Sequence, residues 1–392
     1  MPPVRRRGAT SKNPPIFSHE FVIQNHADIV SCLAMLILVG LMFQVTSPLS
    51  SVFVTMQYNV TTNVSTEGDT SEEADEDVEE VTSYHSGPKD ICSVFFYLLI
   101  AVVLHAVVQE YLLDKLNRKL HLSKTKHSKF NESGQLIVFY IFSILWAVDI
   151  MIKEGYLNNL SHLWDGYPHA LLSFRLKFYF ITQIAYWLHS FPELYFQKIK
   201  REEMDDRIKF AAFYLAFIVS AYVVNLTRLA ILCLVLHYLA EMTFHLARIL
   251  YFSDYLDISK PCFKLWFVFF LAARACIVIL TVHTVWFGLG RLPNQEFDLA
   301  AGNFNTAFFR IVILAAVCLF QGWVLFDFLT FQIKRQKEQS ANHTITTKKS
   351  KGLHSTPTSP KKEKAKKEEG KVVNHDSPQN GGMRTRSKGK KK

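Results

Sequence analysis

Charge is scarce in this chain: only 20% of its 392 residues are Asp, Glu, Lys or Arg, whereas 49% are hydrophobic. Soluble domains carry about a quarter charged residues, so the balance argues against two or three of them in tandem. Cysteine is scarce too. The six residues Cys32, Cys92, Cys233, Cys262, Cys276 and Cys318 are scattered, with no CxxC pair and no Cys/His cluster. A disulfide framework and a zinc site are therefore both unsupported. No Ser or Cys is marked out as a nucleophile, no cofactor motif stands out, and nothing points to DNA. An internal inverted repeat and paired broken helices are also missing, which argues against a plain transporter.

What the chain has is apolar runs of bilayer-crossing length, about 17–25 residues each. They are rich in aromatics: 32 Phe, 15 Tyr and 6 Trp. Such runs are too long and uniform for barrel strands. The expected fold is all-α, a polytopic membrane helical bundle with about eight transmembrane helices. The spans read as about 29–47, 91–112, 135–152, 174–195, 209–226, 229–252, 264–288 and 306–329.

Charge asymmetry orients them. With the N-terminus cytoplasmic, the cytoplasmic segments carry 36 Lys and Arg and the opposite side four (Lys89, Lys153, Arg228, Arg291). This places both termini in the cytoplasm. Residues 1–28 then form a cytoplasmic basic tail holding Arg5, Arg6, Arg7 and Lys12, and the first span reads as a retained anchor rather than a cleaved signal peptide. Two N-terminal helices and a lumenal loop fill 29–122, six helices fill 123–331, and 332–392 is a basic, low-complexity tail expected to be disordered.

The lumenal side carries the sequons at Asn59, Asn63 and Asn159, expected to accept glycans. Asn131 and Asn342 fall on the cytoplasmic side, and Asn225 sits too tightly against the membrane. Nine carboxylates lie between Glu67 and Glu80. Weak calcium binding is one reading; a solvated, disordered loop over 48–90 is the favoured one. On the cytoplasmic side, the basic stretch Ser123–Gln135 satisfies the inside-positive bias, with anionic lipid or ribosomal RNA as alternative partners. In the tail, Thr356, Ser359 and Ser377 precede prolines and are candidate phosphorylation sites. Lys388 and Lys390 match a dilysine signal for retrieval to the endoplasmic reticulum.

The most informative stretch is Asn225–Phe252. It reads as a membrane helix, yet His237, Glu241 and His245 recur every four residues on one face, with Arg248 beyond. An ionisable side chain facing lipid costs at least ~2.5–3.5 kcal/mol, so this face must look at other helices, a ligand or a water-filled cavity. Asp149, Arg274 and His283 are further ionisable residues within spans. Glu241 and Arg274 lie at matching depths, about 15–17 Å from the cytoplasmic side at 1.5 Å per residue. An ion pair between them is expected, giving an intramembrane polar groove of His237, Glu241, His245 and Arg274. Metal ligation by the two histidines and the carboxylate is the lesser reading, since no further ligand is identifiable.

Several long motifs carry a resemblance: residues 19–35, 52–60, 124–135, 185–198 and 236–253 closely resemble the translocating chain-associated membrane protein family, TRAM. The likeness runs over about 15–335. Residues 123–331 also resemble the TLC domain that TRAM shares with ceramide synthases. Tyr222, Asn225 and Arg228 keep their distances from His237, and His237, Glu241 and Arg248 fall where the enzymes carry His, Asp and Lys. The departures are Tyr238 in place of Asp, His245 in place of an acid, and Phe210 and Ala211 in place of a histidine pair.

The resemblance implies a non-enzymatic protein of the endoplasmic reticulum membrane that assists translocation or insertion of nascent secretory and membrane proteins. Its implied partners are the protein-conducting channel (a Sec-type translocon), nascent chains and their signal sequences, and, more distantly, the ribosome and membrane lipids. The alternative is a lipid-modifying or lipid-transfer protein of the TLC type.

Overall fold

The computed structural model describes residues 18–65, 78–197, 199 and 201–352. Arg5, Arg6, Arg7, Lys12, most of the acidic run, Thr356, Ser359, Ser377, Lys388 and Lys390 lie outside the described residues. The chain divides into two compact units, 1–314 and 315–392.

The first unit opens with two short helices, α1 (His19–Gln24) and α2 (His26–Gly40). Ser18 caps α1, its hydroxyl accepting the Phe21 N–H at 3.1 Å. A turn leads to α3 (Ser47–Val54), which starts with proline in its first turn, where the missing N–H costs nothing. The strands β1 (Asn59–Ser65) and β2 (Val78–Tyr84) then pair antiparallel. Next come α4 (Asp90–Val107), α5 (Asp114–Leu120) and α6 (Lys124–Lys153). The two-residue strand β3 (Leu172–Ser173) joins the hairpin to make a three-stranded sheet in the order β1-β2-β3. Its Ser173 caps α7 (Phe174–Phe196) by accepting from the Leu176 N–H at 3.3 Å.

The remaining helices are α8 (Arg201–Val223), α9 (Thr227–Phe252) and α10 (Leu256–Thr281). The turn between α8 and α9 needs a left-handed residue, and Asn225 supplies it with φ 57°. Its amide donates to the Gly302 carbonyl at 2.9 Å, so close that a Cβ on Gly302 would stand 2.4 Å from it. This settles why a glycine is needed there and leaves no room for a glycan on Asn225. A small hairpin of β4 (Phe297–Asp298) and β5 (Asn303–Phe304) precedes α11 (Ala307–Gly352), which runs on into the second unit.

Among the described residues, five stretches are long and apolar enough to cross a membrane: Asp90–Leu120, Lys126–Lys153, Thr227–Phe252, Leu256–Arg291 and Ala307–Glu338. The helix α2 is apolar but shorter. The molecule is thus a mostly helical multi-pass membrane protein with little sheet. In the first unit the main core is aromatic, with Tyr140, Tyr179, Phe180, Trp187 and Tyr238 buried where α6, α7, α8 and α9 meet.

Three expectations need correction. Residues 48–90 are not simply a disordered loop: α3 packs on α4 through Phe53 and Phe95, and the segment forms β1 and β2. Their threonines and valines suit a pleated, half-buried surface, a signal that the acidic run between them obscures. The basic stretch before the third span is not a loop, because α6 begins at Lys124. Its Lys126 pairs with Asp254 at 2.7 Å and its Lys129 with Glu203 at 3.7 Å, so those cations are taken by the protein itself. Finally, the tail does not lose structure at Gln332, since α11 continues to Gly352.

Candidate functional site

The helix α9 lies along α6 and α10, which explains why most of its surface is buried although it carries ionisable residues. His237 is held from two sides. The Arg274 guanidinium of α10 donates to its Nδ1, and its Nε2 meets the Tyr214 hydroxyl of α8. Arginine has no acceptor, so Nδ1 must be the bare nitrogen. The imidazole is therefore the Nε2–H tautomer and donates to the Tyr214 oxygen. The ring is fixed in one orientation by its two neighbours.

Arg274 is turned to His237 rather than into an ion pair with Glu241, which corrects the expected pairing. The two charges remain near enough to act on each other. Glu241 itself is half-buried and makes no hydrogen bond or ion pair among the described residues. One turn further, His245 is wholly buried, with neither ring nitrogen hydrogen-bonded among the described residues and Phe244 and Tyr140 as ring neighbours. Arg248, 3% exposed, faces Glu132 of α6 at 3.8 Å, and Glu132 also accepts from Arg207 at 2.9 Å. The structure thus brings His237 and Arg274 into contact and leaves Glu241 and His245 as separate stations along one seam.

The neighbourhood of His237 is filled. Trp187 stacks on Tyr214 with ring centroids 3.9 Å apart and planes within 4°, and Phe210 lies edge-on to both. The Trp187 Nε1–H donates to the Tyr238 hydroxyl at 3.0 Å, Tyr238 donates to Gln183 at 2.8 Å, and the Gln183 amide donates to Ser143 at 2.9 Å. Tyr238 is wholly buried as a link in this chain. Phe210 and Tyr238 are packing and hydrogen-bonding residues here. Among the described residues, no group of three or more His, Cys, Asp or Glu is arranged to hold a metal ion.

A second polar cluster was missed in the sequence. Lys177 of α7 is 0% exposed. Its ammonium donates to the carbonyls of Gln57 at 2.8 Å and His85 at 2.7 Å and pairs with Asp90 of α4 at 2.7 Å. The other oxygen of Asp90 accepts from the Tyr222 hydroxyl at 2.8 Å and from the Gly87 N–H at 2.9 Å. Gln57 and His85 flank the hairpin, so the Lys177–Asp90 pair ties the ends of the hairpin to α4 and α7 and, through Tyr222, to α8. A signal existed: Asp90 and Lys177 stand at the heads of two spans that start on the same side.

The other expected residues are dispersed. Asn59 and Asn159 are exposed. Asn63 lies in β1, in register with Glu80. Asp149 pairs with Lys153 at 2.7 Å and Arg175 at 3.4 Å, and His283 sits edge-on to Trp164. In the loop before α7, His169 is buried and bonded through Nε2 to the Asp165 carbonyl at 2.9 Å. Burial, and then the nearby Arg228 charge, push its imidazole down to about 4.

Comparison with known proteins gives the kinship. The TLC domain family matches residues 129–330. The chain is 45% identical over 345 residues to the human protein named translocating chain-associated membrane protein 2, covering 87% of this chain and 89% of the relative. The mouse protein of that name is 44% identical over 346 residues, with the same coverage. A ceramide synthase of Gibberella moniliformis, FUM18, is 26% identical over 223 residues, covering 56% of this chain and 52% of the relative. With this kinship along nearly its whole length, the chain belongs to the translocating chain-associated membrane protein family, whose bundle includes a TLC domain.

Proposed function

We propose that this protein works without catalysis beside the protein-conducting channel of the endoplasmic reticulum membrane, both termini in the cytoplasm. There it helps nascent secretory and membrane proteins to translocate or insert, and it contacts signal sequences as they leave the channel. The observation that carries this reading is the 45% identity over 87% of the chain to a relative named for its association with translocating chains. The seam on α9 supports it physically. A segment leaving the channel meets lipid, where each charge costs ~2.5–3.5 kcal/mol or more. A seam with a fixed His237, a buried Arg274 nearby and a half-buried Glu241 that has no hydrogen bond or ion pair among the described residues offers such a segment an intermediate environment. The ribosome and membrane lipids are further partners in this reading, and Asn59, Asn63 and Asn159 are its glycan sites.

A photocrosslinker in a nascent signal sequence, stalled during insertion into microsomes, tests it. Adducts with this protein are expected; a channel-bound signal sequence that never labels it contradicts the reading.

The distant likeness to a ceramide synthase supports a second reading, acyl transfer to a sphingoid base with His237 as acid–base group. Three features weigh against it. Phe210 and Ala211 replace the histidine pair, Arg274 and Tyr214 occupy both nitrogens of His237, and the Trp187–Tyr214 stack fills its surroundings. Purified protein given acyl-CoA and sphinganine is expected to yield no ceramide; turnover lost in His237→Ala would establish the second reading.

A further inference from the structure

Acidic side chains that the helices bury or half-bury are matched with a cation or a histidine almost throughout. Asp90 has Lys177 at 2.7 Å, Glu132 has Arg207 at 2.9 Å and Arg248 at 3.8 Å, and Glu193 has His105 at 3.3 Å. Glu241 departs from this. It stands in the middle of the 26-residue α9, two turns or more from either end, with no hydrogen bond or ion pair among the described residues. It is also more open than its neighbours: Arg274 is 5% exposed, Arg248 3% and His245 0%, whereas Glu241 is half-buried. Arg274 lies under the Phe270 ring and against His237, and Arg248 lies between Phe244 and Phe252 and faces Glu132. The cations of the seam are thus covered and committed, and the carboxylate is the group it presents.

We infer that Glu241 is the contact point for a cationic residue in the middle of a client's apolar segment, so that the seam selects clients carrying an internal Lys or Arg. This rests on the proposed role in insertion and adds a sign to it. A carboxylate open within a membrane helix is complementary to an ammonium or guanidinium that must otherwise face lipid. The nearby Arg274 keeps the opposite choice from working equally well, because it is buried under other side chains and a client carboxylate cannot reach it as readily. Neutral polar residues gain only an ordinary hydrogen bond at the same place.

The test uses full-length protein in microsomes and stalled nascent chains whose apolar segment carries a central Leu, Lys or Glu, with a photocrosslinker one turn away. The Lys segment is expected to label this protein on the order of threefold to tenfold more than the Leu segment, the range of an ion pair of about 1 kcal/mol. Glu241→Gln should bring Lys labelling down to the Leu level, and Glu241→Asp should retain the gain. A thermal melt in detergent and a protease-digestion pattern matching the parent show that both variants are folded. Equal gains for Lys and Glu segments, or a Lys gain that survives Glu241→Gln, overturns the inference while leaving the insertion role standing. Absence of labelling for all three segments overturns both.

Discussion

Two polar clusters interrupt the apolar helices, and they are built to opposite rules. Around Lys177 the charges are answered: the ammonium donates to two carbonyls and pairs with Asp90 Oδ1 at 2.7 Å, and Asp90 Oδ2 accepts from Tyr222 and the Gly87 N–H, with Oδ1 held by the ion pair alone. Along α9 the answers are incomplete. Among the described residues, His245 has no hydrogen-bond partner on either nitrogen, Arg248 has Nε and Nη1 without a hydrogen bond, and Glu241 makes none. A closed cluster fixes how elements sit together, because removing one member strands another in low dielectric. An open cluster adds little to stability and leaves groups free for something that arrives later. The contrast assigns scaffolding to the first and contact with clients to the second.

The largest expected effect is on the closed cluster. Lys177→Met leaves Asp90 buried without its cation and should destabilise the protein by about 3–5 kcal/mol. Thermal unfolding in detergent and proteolysis at the β1–β2 hairpin would both report it. The double variant Lys177→Met with Asp90→Asn should recover much of the loss; equal damage in single and double variants would deny that the stranded charge is the cause.

Next comes the fixed end of the seam. Tyr214→Phe removes the acceptor for the His237 Nε2–H and should cost roughly 1–3 kcal/mol, with the Trp187 stacking intact. A melting temperature unchanged by this substitution would show that His237 is not held as described. Glu241→Gln is expected to change stability by less than about 0.5 kcal/mol, since no hydrogen bond or ion pair among the described residues is lost. A cost as large as that at Lys177 would erase the distinction between the two regions.

A separate effect is on pH. His169 has its folded value near 4, below the ordinary value of 6.5. The unfolded chain therefore binds its proton first, so this group's contribution is complete above pH 6.5 and is lost as pH falls toward 4. Replacing His169 with Gln should flatten the stability profile in that window, read by unfolding at a series of pH values. An unaltered profile would remove His169 as the cause.

Much of this organisation is legible in the residues, and the gaps have physical reasons. Five of the expected span positions follow from hydropathy, because a bilayer leaves a chain few options. The stripe of His237, Glu241 and His245 follows from helical spacing. Their partners do not: depth arithmetic ranks residues along one axis, and Arg274 meets His237 rather than Glu241 because rotation of α10 about its own axis is set by packing. The Asp90–Lys177 clamp was hidden because each residue alone reads as a span-end charge. The hairpin was hidden because its strands border a run of carboxylates that suggests disorder. The end of α11 was missed because the lysine-rich sequence after Gln332 has helix-forming residues but no apolar face to announce them.

The most direct test of the division of labour is to map where a client touches. A stalled nascent chain with a photocrosslinker in its signal sequence is joined to the protein in microsomes, and the adduct is located by peptide mapping. The account predicts adducts on the α8–α9 seam, on peptides containing Tyr214, His237 or Glu241. Adducts confined to the hairpin and the Lys177 region, with the seam unlabelled, would contradict it.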